Sequence, residues 1–97
     1  MSDEQYTHDT PQRTVEETEA SCDLFREAML YKLLQPRIIR KEHWRNVDVE
    51  YLRGRLGDEL KELDAELENG DMYGIAHECI DIANLAMMIY EKANGIC

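Results

Sequence analysis

Four carboxylates stand at positions where helices ordinarily bury hydrocarbon. Glu59 and Glu62 are three residues apart, as are Glu78 and Asp81. On a helix that spacing sets both side chains of a pair on one side. Glu59 has Leu56 three before and Leu63 four after, and Glu62 lies beside Leu63 at the edge of the same stripe. Glu78 sits between Ile75 and Ile82, and Asp81 precedes Leu85 by four and Met88 by seven. A buried carboxylate without a partner is costly and tends to neutralise, and four together repel. A hard divalent cation with oxygen ligands resolves both problems. Two antiparallel helices carrying these pairs would offer it four oxygen donors in one cavity. Chance is the competing explanation in a chain with 21 acidic residues, since Glu16/Glu19 and Glu68/Asp71 share the spacing. Those two pairs read as a solvated face and a turn, and only the apolar setting separates the favoured pairs from them. From the residues alone, a metal centre and a coincidence of surface acids both stand.

The elements that must carry these residues are helical. Thr14 and Glu17 fit a capping box, which starts a first helix near Thr14. Leu24, Phe25, Ala28, Met29, Leu33 and Leu34 follow at helical spacing, and Pro36 stops the run. Residues 35–46 read as a loop. A second helix is expected from Val47 to Glu68, on a stripe of Val49, Leu52, Leu56, Leu60, Leu63 and Leu67. Asn69-Gly70 ends it, and Asp71 caps a third helix that runs to Asn94-Gly95. Gly54 and Gly57 inside the second helix point to close helix packing more than to a ligand. The second half of the third helix is apolar nearly all round, so it should be buried on most sides. The expected fold is therefore all-α: three main helices in a bundle completed by homo-oligomerisation, as a dimer or a tetramer. Residues 1–13 read as a flexible tail, and residues 14–97 as one helical domain.

Bulk properties narrow the function. The chain has 97 residues, one small domain, and a net charge of −10. That charge argues against nucleic-acid or anionic-membrane partners, which need basic surface. Three cysteines without close spacing, Cys22, Cys79 and Cys97, suit reduced thiols better than disulfides or zinc. No apolar stretch follows a basic start, and the apolar run from Ile82 to Tyr90 is too short to span a bilayer. A cytoplasmic protein is expected.

The wider pattern resembles a family. Glu59-x-x-Glu62, fifteen residues, then Glu78-x-x-Asp81 is similar to the metal motif of the all-α nucleoside triphosphate pyrophosphohydrolases, the superfamily of MazG and the dimeric dUTPases. Phe25-x-x-x-Met29-x-x-Lys32-Leu33, Lys41-x-x-Trp44 and the run from Glu78 to Ile89 resemble small MazG-like proteins of phages. The resemblance covers roughly residues 22–95. Two details depart from it: Asp58 precedes Glu59 where many relatives have a second glutamate, and Glu42-His43 replace a Lys-Gly before Trp44.

The resemblance implies that magnesium, or manganese, held by Glu59, Glu62, Glu78 and Asp81, binds a nucleoside triphosphate. Water attacks the α-phosphorus, and a monophosphate and pyrophosphate leave. One carboxylate, Glu62 for example, would act as general base instead of a pure ligand. The resemblance also singles out Lys41 for the phosphates. Arg37, Arg40 and Arg45 around it either join that clamp or simply solvate a basic loop. Trp44 either stacks on a base or pins the loop. Asn84, one turn after Asp81, either reads the nucleotide or joins a helix-contact network. His43 and His77 read as surface residues, and Met29, Met87 and Met88 as core. A di-iron bundle would need Glu-x-x-His pairs, and the chain has none. Two other functions compete with the enzyme: a non-catalytic nucleotide- or metal-binding regulator, and a helical module that docks a protein through its acidic face.

Overall fold

The computed structural model describes residues 12–35 and 47–95. These form three α-helices and no strand: α1 Val15–Leu33, α2 Val49–Asn69 and α3 Met72–Ala93. The first thirteen residues, apart from Gln12 and Arg13, lie outside the described residues, as does nearly all of the expected loop. No described helix is long and apolar enough to cross a membrane.

Each helix begins where a side chain can satisfy an orphan N–H. Thr14 caps α1: its Oγ1 accepts from the Glu17 N–H at 3.0 Å, and Glu17 Oε1 accepts from the Thr14 N–H at 2.9 Å. Asp48 caps α2, with Oδ1 accepting from the Tyr51 N–H at 2.9 Å. This moves the start two residues past the expected Val47, because the aspartate offers the acceptor and a valine cannot. Asp71 caps α3 in the same way through the Gly74 N–H at 3.2 Å.

A two-residue turn joins α2 to α3. Gly70 takes φ 72°, in the left-handed region. Its N–H donates to Leu67 O and the Asp71 N–H donates to Glu66 O, the paired bonds of a Schellman ending. So short a turn makes α2 and α3 an antiparallel hairpin, which forms the main body of the fold. Gly74 lies where α3 passes α2 closely, since a Cβ there would sit 2.5 Å from Glu66 Cδ.

The apolar interior of a single chain is small. Only Leu52 of α2 and Leu85 of α3 are buried hydrophobic residues among those described. Leu56 and Leu63 are half-buried, and Leu60 and Leu67 of the same stripe are exposed. The second half of α3 is less enclosed than its composition predicts: Met87, Met88 and Ile89 are half-buried, and Ala86 and Tyr90 are exposed. Helix α1 rests on α3 and contributes no buried residue at all. Leu24 is 73% exposed and Tyr31 72%. Among the described residues, a Cβ at Gly54 or Gly57 would meet nothing within 4 Å, so neither glycine is a point of close packing there.

Candidate metal centre

The hairpin places Glu59, in the middle of α2, opposite Glu78 and Asp81, in the first half of α3. One carboxylate oxygen from each of these three residues lies within 4.8 Å of the others. Glu59 is 6% exposed, whereas Glu78 and Asp81 are half-buried. Glu62 is exposed and lies outside this group of three, yet it is near enough for its charge to act on Glu78.

Glu59 and Asp81 each have a basic partner, and Glu78 has none among the described residues. Arg55, one turn before Glu59, donates from Nη2 to Glu59 Oε2 at 3.1 Å. The other oxygen, Glu59 Oε1, is buried with no hydrogen-bond partner among the described residues, and so is Glu78 Oε1. The carboxyl of Glu78 is pushed up from 4.5 to about 8. The largest cause is a hydrogen bond that its protonated form makes to Glu59. Burial comes next, then the charges of Glu59 and Glu62 and a hydrogen bond to Glu62. At neutral pH a proton on Glu78 therefore lowers the repulsion among these carboxylates.

Asp81 has a different partner. Lys32, in the last turn of α1, places Nζ 2.9 Å from Asp81 Oδ1 and 3.3 Å from His77 Nδ1. His77 Nε2 in turn lies 3.0 Å from the Tyr73 hydroxyl. An ammonium only donates, so His77 Nδ1 accepts and its Nε2–H donates to Tyr73. His77 is exposed, as its sequence setting suggests, but it is bonded on both sides.

One turn beyond Asp81, Asn84 is 4% exposed. Its Nδ2 donates to the Met29 carbonyl of α1 at 3.4 Å, and its Oδ1 has no partner. Half of this side chain therefore serves a helix contact, and the other half is buried with no partner among the described residues. Lys41 and Trp44, with Arg37, Arg40, His43 and Arg45, lie outside the described residues. Sequence reasoning gave no role to Lys32 or Arg55 at the acids. Arg55 was legible in principle, since it stands one helical turn before Glu59. Lys32 is separated from Asp81 by 49 positions, and only the packing of α1 on α3 brings them together.

The donor set fits a hard divalent cation. All three close groups are carboxylates, two have buried oxygens without donors among the described residues, and the third is paired with Lys32. Magnesium or manganese suits such oxygen ligands better than a soft, thiolate-seeking metal. No protein-family model, curated protein sequence or solved structure matches the chain.

Proposed function

We propose that this chain is a MazG-like pyrophosphohydrolase that cleaves nucleoside triphosphates to monophosphate and pyrophosphate with magnesium or manganese. The observation that carries the reading is Glu59: a buried carboxylate grouped with Glu78 and Asp81, with one oxygen that no described residue bonds once Glu78 is ionised. Arg55 answers one oxygen of that carboxylate, and a divalent ion would answer the other. A divalent ion there would neutralise polyphosphate charge and make water more acidic. Glu59, Glu78 and Asp81 hold the ion, with Glu62 completing the set. Glu62 is exposed and outside the close group, so it is the carboxylate best placed to take a proton from the attacking water as well. Asn84 Oδ1 faces the nucleotide, and Lys41 and Trp44 contribute from the preceding segment.

Two further features belong to the proposal. The chain works as a homodimer or a tetramer, which would cover the apolar side chains of α1 and the outer stripe of α2. It acts in the cytoplasm, where Cys22 and Cys79 remain free thiols. The test is pyrophosphate release from a panel of ribo- and deoxynucleoside triphosphates, with magnesium and with EDTA. Magnesium-dependent release that Glu59→Gln abolishes supports the enzyme. Tight nucleotide binding without turnover by the folded protein supports a regulator in its place.

A further inference from the structure

We propose that Lys32 is a phosphate-binding residue that couples the metal to the substrate, an inference that rests on the reading of the acids as a divalent-cation site. Lys32 Nζ stands at the edge of the acidic group, on Asp81 and His77, and the lysine side chain is 24% exposed. An ammonium has three donors, and these contacts use two. No described residue takes the third, and the exposed part of the side chain leaves it to solvent.

The electrostatics set the direction of the effect. With no metal, Lys32 is the counter-ion of Asp81. A divalent ion that takes an Asp81 oxygen competes with Lys32 for that charge and leaves two cations side by side. Like charges at such a distance repel, and an anion between them removes the repulsion. A phosphate oxygen is an anion of the right kind, with lone pairs for both a metal and an ammonium. Lys32 therefore opposes binding of the metal alone and favours binding of metal and polyphosphate together. By linkage the two ligands strengthen each other. His77 and Tyr73 keep Nζ at the site when Asp81 lets go, because the His77 Nδ1 contact does not depend on Asp81.

A purely structural role makes a different prediction. If Lys32 only ties α1 to α3, its loss weakens every ligand alike. The test is calorimetry of the wild-type protein, Lys32→Gln and Lys32→Arg. Magnesium is titrated alone, and then pyrophosphate at saturating magnesium. Glutamine keeps a hydrogen bond to Asp81 and loses the charge. We expect Lys32→Gln to bind pyrophosphate about tenfold or more weakly, the size of one hydrogen bond to a charged group. The same variant should bind magnesium alone no more weakly than wild type, and Lys32→Arg should recover most of the pyrophosphate affinity. Unchanged pyrophosphate binding, or a parallel loss for both ligands, overturns the proposal. Inorganic phosphate replaces pyrophosphate in a further arm, and binding as strong as that of pyrophosphate would show an anion site not built for a polyphosphate and overturn it too. Wild-type protein that binds magnesium but no pyrophosphate overturns this inference and leaves the metal centre standing, whereas wild-type protein that binds no divalent ion removes both. If Lys32→Gln fails to fold, the Lys32 ammonium nitrogen resonance of the wild-type protein decides. It should move when pyrophosphate joins the magnesium-bound protein, and no movement overturns the proposal.

Discussion

Glu59 and Glu62 share a helix and differ by three positions, yet one is buried and the other exposed. Their roles follow from that difference, and so do the expected effects of changing them. Glu59→Gln, Glu62→Gln, Glu78→Gln and Asp81→Asn each keep the shape and remove a charge from one centre. Nucleotide hydrolysis should fall by roughly a hundredfold or more in each, the usual cost of losing a key electrostatic group. Glu16→Gln and Glu68→Gln are matched controls, exposed on α1 and near the end of α2, and should remain close to wild type. Steady-state rates at saturating magnesium check this.

Glu78 also gives a pH dependence. Its carboxyl is raised from 4.5 to about 8 in the folded, metal-free chain. Between those values the folded state holds a proton that the unfolded state has released. Stability from this group is therefore full below about 4.5 and declines as pH rises through about 8. Metal-free melting temperatures should fall across this window, and magnesium should flatten the slope. At pH 7 magnesium binding should release close to one proton per site, measured by calorimetry in buffers of different ionisation enthalpy. Glu78→Gln should abolish both effects.

The helices themselves were largely legible in the sequence. Thr14, Asp71 and Asn69-Gly70 mark helix ends because a cap is a local bond between residues three or four apart, and local chemistry is written in local sequence. The start of α2 was missed by two residues, since Asp48 outcompetes Val47 as a cap. The pairing of Glu59 with Glu78 and Asp81 was legible too, because a two-residue turn forces α2 and α3 antiparallel. What was not legible depends on how α1 crosses α3: the Lys32–Asp81 ion pair and the Asn84 contact to Met29. That no described residue packs against Gly54 or Gly57 was not legible either, since spacing does not say what faces a glycine. With nothing within 4 Å of a Cβ at Gly54, Gly54→Ala should stabilise α2 by up to about 1 kcal/mol. Chemical denaturation measures it, and a loss of stability would mean that a second copy or another part of the chain covers this face.

At the scale of the whole molecule, a helix without one buried residue is a poor independent element. Helix α1 exposes Leu24, Phe25, Leu30 and Tyr31, and α2 exposes Leu60 and Leu67. Apolar surface of that extent favours a second copy, and a small domain has little other source of stability. Multi-angle light scattering at micromolar concentration should give the mass of a dimer or a tetramer, and a well-folded monomer would contradict this.

Under the proposed function, the acids of α2 and α3 support attack on the α-phosphorus of a nucleoside triphosphate. The most direct measurement is phosphorus NMR of the products formed in oxygen-18 water with magnesium. The account predicts a monophosphate that carries the heavy oxygen, together with unlabelled pyrophosphate. Diphosphate and inorganic phosphate as products, or no turnover of any nucleotide in the panel, would contradict it.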